Sequence, residues 1–267
     1  MNDVFDQLVM ALKPFGLNHY GVVSVHAYDQ HARPSLRSQV LSPGSRSIVV
    51  FASAGPSLWT AFLSDLAKDS GHLTEEEHPL DAFVARGLHS ASRSLDGHPH
   101  RWCTASAEAD VHIDFRTLAI HAGLGSASRL GLVIHPTFGP WMGLRAACFV
   151  PDIIPVSPII TDVCSGCAGP CASACPGGAF VGGMWDVGIC ASFHQGDSPC
   201  AQRCDARMAC PVGSEQRYSA LERLYHYDRE AGRRALAEHI GITGDTHVGI
   251  GPHWGDWSSP SGGEDLT

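Results

Sequence analysis

Apolar residues recur at helical spacing in the first segment of the chain. Val4, Phe5, Leu8, Val9 and Leu12 fall on one face, and Gly16 stops the pattern, so a helix is predicted over residues 3–15. Gly21–Val25 and Ser47–Ala52 are short apolar runs rich in β-branched residues and predict strands, the second one buried. Gly55-Pro56-Ser57 opens a helix reaching about Lys68, and the polar, acidic residues 69–78 predict a surface loop. Pro79 sits at the first position of another helix, which runs to about Leu95 and breaks at Gly97-His98-Pro99-His100. A helix from about Phe115 to Ala122 ends at Gly123, as helices do at a glycine just past their last turn. Residues 124–141 hold several Gly and Pro and predict an organised loop, and Gly143–Val150 predicts a strand. Residues 215–239 read as helical through Tyr218, Leu221, Leu224, Tyr225, Ala235 and Leu236. The tail from Gly241, with Trp254 and Trp257, is expected to be loosely ordered.

Prolines 151, 155 and 158 mark a boundary. The pattern therefore predicts an α+β domain over residues 1–155, a cysteine-rich module over 156–215, and a C-terminal helix with its tail over 216–267. A length of 267 residues suits one large and one small domain, and 44% apolar content is ordinary for a globular core. The net charge of −9 argues against a nucleic-acid surface, which clusters Lys and Arg. No apolar stretch approaches the roughly 20 residues that span a bilayer. No secretory h-region, twin-arginine leader or lipidation signal is read, so a cytoplasmic protein without a membrane partner is expected. There is no phosphate-binding P-loop, and Gly123-Leu124-Gly125 does not follow a strand, which weakens a dinucleotide reading.

Eight of the ten cysteines lie between Cys164 and Cys210. They form two runs, Cys164-x2-Cys167-x3-Cys171-x3-Cys175-Pro176 and Cys190…Cys200-x3-Cys204-x5-Cys210-Pro211. A [4Fe–4S] cube needs four thiolates, and short steps let one loop wrap one corner. In two-cluster ferredoxins the fourth cysteine of each run binds the other cluster. On that pattern Cys164, Cys167, Cys171 and Cys210 hold one cluster, and Cys175, Cys190, Cys200 and Cys204 the other. The bacterial spacing is x2, x2, x3; here the first run is x2, x3, x3 and the second is stretched. Disulfides would need an oxidising compartment. Zinc sites favour paired CxxC knuckles rather than fours ending in Cys-Pro. Cys103 and Cys148 lie outside the runs and read as small buried hydrophobes.

The second informative stretch runs from Ala122 to Trp141, where glycines and prolines fix sharp turns ahead of a strand. Glycine lets backbone come close to a flat ligand, and the alternative is a tight structural loop. The order of motifs is Ala122-Gly123-Leu124-Gly125-x3-Arg129, an aliphatic strand, His135-Pro136-x-Phe138-Gly139-x-Trp141, then two ferredoxin runs. This order resembles the epoxyqueuosine reductase family, and it is similar to the catalytic part of reductive dehalogenases. The His135–Trp141 stretch with Leu144-Arg145-Ala146 is also similar to the cobalamin-processing protein CblC. The resemblance covers roughly residues 105–215.

It implies a nitroreductase-like α+β domain of the cobalamin-binding type, followed by a bacterial ferredoxin-like two-cluster module. The implied cofactors are two [4Fe–4S] clusters and cobalamin. Gly123, Gly125, His135, Gly139 and Trp141 would line the corrin site, and Arg129 would meet an anionic corrin group. Asp110 and Asp114 are the nearest candidates for a general acid. The implied function is an oxidoreductase taking electrons from a donor such as ferredoxin or flavodoxin and passing them to a small-molecule substrate. Two other readings stay open: an electron carrier with a docking domain, and a protein that strips the upper ligand from cobalamin. The helical-repeat region that helps epoxyqueuosine reductases hold tRNA has no counterpart in the sequence, and no nucleic-acid partner is expected.

Overall fold

The computed structural model describes residues 3–106, 109–194 and 198–242. Apart from Gly241 and Ile242, the expected loose tail lies outside the described residues.

Four antiparallel strands form the central sheet: β1 (His19–Ser24), β2 (Ser47–Ala54), β3 (Arg101–Thr104) and β6 (Met142–Val150), in the order β1-β2-β6-β3. Val22 pairs with Val49, Val49 with Cys148, and Cys148 with Trp102. Every residue of β2 is buried, so both faces of the sheet are covered. Side chains alternate across a strand, and β2 divides accordingly. Val49 and Phe51 join a cluster with Leu8, Leu12, Phe62, Phe83 and Leu88 from the helices Asp3–Leu12, Ser57–Leu66 and Pro79–Ser94. Ile48 and Val50 face the other way, onto Leu118 and Ala119 of the helix Phe115–His121.

Two expectations need correction. Residues 215–239 are not one helix but two, Ala220–Tyr227 and Arg229–His239. Asp228 leaves helical geometry (φ −127°, ψ 94°) and caps the second helix by accepting the Ala231 N–H at 2.9 Å. Tyr225, Leu236 and Ala237 then pack into the main core, with Tyr225 5.3 Å from the Trp59 ring. The acidic stretch 69–78 is more than a surface loop. It holds a short helix, Gly71–Thr74, whose Leu73 is fully buried. Arg233 fixes it by donating to the carbonyls of Leu73, Glu76 (2.9 Å) and Glu77 (3.1 Å).

The loop 124–141 contains the two-residue strands β4 (Ser126–Ala127) and β5 (Val133–Ile134), which pair with each other. The cysteine region folds as short pieces: the helix Pro170–Ser173, the hairpin β7 (Phe180–Val181) and β8 (Met184–Trp185), the helix Val187–His194 and the helix Asp205–Met208. Among the described residues, no helix is long and apolar enough to cross a membrane.

Candidate functional site

The eight cysteines gather in two places. Cys164, Cys167, Cys171 and Cys210 line one small cavity, together with Arg129, Leu130 and Ile134. Cys175, Cys190, Cys200 and Cys204 line a second, larger one of about 390 Å³. The chain thus brings Cys210, the last cysteine of the second run, to the first run, and Cys175 to the second. Leu130 and Ile134 pack with Cys171, Ala206 and Cys210 in a local core that ties the two runs together.

Burial raises the thiols of Cys171 and Cys210, and the neighbouring sulfurs of Cys164 and Cys167 raise them further. In the second set burial again leads. Cys175 and Cys190 then raise Cys200, and Cys200 and Cys190 raise Cys204. Four thiols that oppose one another's ionisation suit a cationic iron centre, which removes their protons on binding. Backbone N–H groups already point at sulfur: Gly169 to Cys167 (3.4 Å), Ala179 to Cys175 (3.5 Å) and Arg207 to Cys204 (3.4 Å). Among the described residues no three His, Cys, Asp or Glu gather as the ligands of a single metal ion. A cube, with one thiolate on each of its four irons, spaces its sulfurs more widely than one ion does. The donor set and its placement fit two clusters.

Beyond the second cysteine set, the larger cavity is walled by Met142, Gly143, Leu144 and Arg145 of β6, and by Arg207, Tyr218, His226 and Tyr227. The Arg207 guanidinium lies 4.6 Å from the Trp141 ring and 5.0 Å from the Tyr218 ring, and donates to the Pro140 carbonyl at 2.6 Å. The Tyr227 hydroxyl is also within its hydrogen-bonding reach. Burial, then the charges of Arg145 and Arg207, lower His226 to about 3, so that ring is neutral. Burial raises Glu222 to about 7 against the pull of the same arginines. This polar wall escaped the sequence reading because its members come from three separate segments and share no motif.

The loop 124–141 lies against the cysteine module. Ser126 Oγ accepts the Val163 N–H at 3.0 Å, and the Arg129 carbonyl accepts the Trp185 N–H at 3.1 Å. The close approaches its glycines permit are to the protein itself. A Cβ would stand 2.3 Å from the Pro158 oxygen at Gly123, 2.5 Å from the Ile134 oxygen at Gly125, and 2.0 Å from the Val212 oxygen at Gly139. Trp141 is buried beneath Arg207 and Tyr218. His135 is half-buried and lines neither cavity. Arg129 stands at the first cysteine set, with Nη1 only 2.3 Å from where a Gly169 Cβ would be. Asp114 caps the helix Phe115–His121, accepting from the Thr117 N–H (3.0 Å) and hydroxyl (2.6 Å). Asp110 is exposed and pairs with Arg101 at 2.5 Å. Cys103 and Cys148 are buried in the sheet.

No family model matches the chain. A tetrachloroethene reductive dehalogenase from Sulfurospirillum multivorans is 40% identical over 68 residues, 24% of this chain and 13% of that enzyme. Epoxyqueuosine reductase from Bacillus subtilis superimposes with a TM-score of 0.55 at 18% identity, covering 82% of this chain and 68% of that one. The same enzyme from Streptococcus thermophilus gives 0.53 at 13% identity, with 91% and 80% covered. The B12-trafficking protein CblC from C. elegans gives 0.59 at 12% identity, covering 91% of this chain and 97% of that one. The fold of this chain is the one shared by epoxyqueuosine reductases and CblC.

Proposed function

We propose that the chain is an iron–sulfur, cobalamin-dependent reductase. In this reading residues 1–155 form the nitroreductase-like domain and 156–215 a ferredoxin-like module with two [4Fe–4S] clusters. The helices within 216–267 lock the module's exit onto the main core. Cys164, Cys167, Cys171 and Cys210 hold one cluster, and Cys175, Cys190, Cys200 and Cys204 the other. The observation that carries the proposal is the shared cavity, in which the second cysteine set and strand β6 face one space. Its volume of about 390 Å³ is that of a small-molecule site.

When bound, the clusters supply one-electron transfer and cobalamin a strongly reducing cobalt centre. The chain's own contribution is placement. The cysteines fix the path, Leu130, Leu132, Phe180 and Trp185 give the cavity an apolar wall, and Arg145 and Arg207 add cationic side chains to its lining. Gly123, Gly125 and Gly139 are filled by protein packing and make no open cradle. The electron donor is a carrier such as ferredoxin or flavodoxin, the substrate is a small molecule, and the compartment is the reducing cytoplasm.

Iron, sulfide and cobalt analysis of anaerobically purified protein tests this, with the absorbance spectrum. About eight iron atoms per chain and added corrin features with cobalamin are expected. Protein that holds no iron, or that binds no corrin with its clusters reduced, sinks the proposal. A cluster band alone would leave an electron carrier. The similarity to CblC, which covers nearly all of that protein, favours a second reading, a cobalamin-handling protein. Turnover of alkyl- or cyanocobalamin without an organic substrate would select it.

A further inference from the structure

Arg207 presents a problem of charge. Its guanidinium is enclosed between Trp141, Tyr218 and Tyr227, and its Nε–H is sealed from solvent with no acceptor. Among the described residues no carboxylate forms an ion pair with it; Glu222 feels its charge, but burial holds that carboxyl up at about 7, so much of it stays protonated near neutral pH. Asp205, two positions away, pairs with Arg203 at 2.8 Å. A cation held away from water costs several kcal/mol unless an anion offsets it. A carbonyl and two aromatic faces are dipoles and quadrupoles, not counter-charges.

A second anionic partner is sulfur: the Cys204 thiolate favours the Arg207 charge. Cys204 caps the short helix that carries Arg207, and its Sγ accepts the Arg207 backbone N–H at 3.4 Å. Arg207 and Cys204 line the same cavity wall. We infer that Arg207 is the built-in counter-charge of the cluster at Cys175, Cys190, Cys200 and Cys204, and that it makes this cluster easier to reduce than the other one.

The physical basis is direct. An electron entering the cluster adds one negative charge, and a nearby fixed cation stabilises the reduced form more than the oxidised form. Net charge, hydrogen bonds to sulfur and solvent exposure set the potentials of such clusters. The first set has an arginine too, and both residues are partly exposed. But Arg207 is stacked against two rings with its Nε sealed from solvent, whereas no ring contact covers Arg129 among the described residues, so water screens Arg129 more. The two sets therefore differ in the dielectric around their arginines rather than in their ligands. An electron from the one-electron donor then runs from the first cluster to the second, which borders the larger cavity.

The inference rests on the iron–sulfur reading of the cysteines. The test is an anaerobic dithionite titration, followed by electron paramagnetic resonance, on the full chain with its iron and sulfide measured beforehand. A chain without iron overturns the underlying reading and this one with it. The loaded wild-type protein should reduce in two separate steps. Arg207→Gln should lower the upper step by at least tenfold in reduction equilibrium, about 59 mV for one electron, and leave the lower step in place. Arg207→Lys keeps the charge and should restore most of the shift, which a merely structural role would not do. A single shared potential in wild type overturns the inference, as does Arg207→Gln with both steps unchanged or both equally lowered. If Arg207→Gln does not retain its clusters, Arg129→Gln decides. It should move only the lower step, and moving the upper one overturns the assignment.

Discussion

The ring of His19 stands edge-on against the ring of His135, with centroids 4.7 Å apart. Phe138 closes the group, 4.9 Å from His135 and 5.5 Å from His19. His135 Nδ1 accepts the backbone N–H groups of Thr137 (3.1 Å) and Phe138 (3.3 Å), which leaves the proton on Nε2 of a neutral ring. Burial, and then the charge of His19, lower His135 from 6.5 to about 4. The folded ring is therefore neutral while the unfolded one takes a proton. Its contribution to stability is whole above the unfolded value and drains away as pH falls from 6.5 toward about 4. Urea unfolding at about pH 7 and about pH 5 should show wild type losing more stability than His135→Gln, by about 1 kcal/mol once partial exposure is allowed for. Equal losses would show that the ring is not held neutral.

The crossed cysteine sets make a prediction about pairs. Cys164→Ser and Cys210→Ser should each reduce iron from about eight to about four per chain, and the double variant should lose no more. Cys164→Ser combined with Cys175→Ser should empty both sites. Anaerobic iron and sulfide analysis reads this directly. If Cys210→Ser proves redundant with Cys204→Ser rather than with Cys164→Ser, the crossing is wrong.

Gly139 should tolerate no side chain. It lies at φ +58°, and a Cβ would sit 2.0 Å from the Val212 backbone oxygen, where the loop meets the exit of the cysteine module. Gly139→Ala combines overpacking, about 1–3 kcal/mol, with left-handed backbone strain of about 1 kcal/mol. Gly44 at φ +87° has nothing within 4 Å, so Gly44→Ala carries the backbone cost alone. Thermal unfolding should rank Gly139→Ala well below Gly44→Ala; a reversed order would mean that this loop contact is absent.

What the sequence made legible follows from how local each signal is. The apolar runs Ser47–Ala52 and Gly143–Val150 read as strands because the sheet is covered on both faces. Strand β3 passed unread, since Arg101-Trp102-Cys103-Thr104 is too short to show a period and follows a run of turn residues. The break at Asp228 was hidden because Leu221, Tyr225 and Leu236 still fit one helical stripe on either side of it. The cysteine sets were readable because Cys-Pro ends both runs. Arg207, Tyr218 and Tyr227 were not, because a buried cation looks like any surface arginine until the tertiary fold encloses it.

Cys103 and Cys148 are 1% and 0% exposed, and burial raises both thiols. Alkylation requires the thiolate. Iodoacetamide should therefore modify neither residue in native, cluster-loaded protein. Removing iron with a chelator should expose only the eight cysteines of the two runs, as read by peptide mass spectrometry. Labelling of Cys148 before the chain unfolds would contradict its place between β2 and β3.

Asp110 and Asp114 can be separated as acid and as scaffold. A proton donor must reach the reacting atom, and neither residue lines the larger cavity. Burial disfavours the Asp114 charge, but hydrogen bonds from the Thr117 hydroxyl and N–H outweigh it and hold the carboxyl below its usual range. That makes Asp114 a capping group, and Asp114→Ala should cost about 1 kcal/mol of stability. Asp110 forms an exposed pair with Arg101, so Asp110→Asn should change stability little. Both variants, loaded with iron, should keep dithionite-driven reduction of added hydroxocobalamin within about twofold of wild type, since one is a cap and the other a surface pair. An Asp110→Asn protein that melts like wild type but has lost turnover would instead identify Asp110 as the acid. It would also require the segment around residue 110 to swing toward the cavity during reaction.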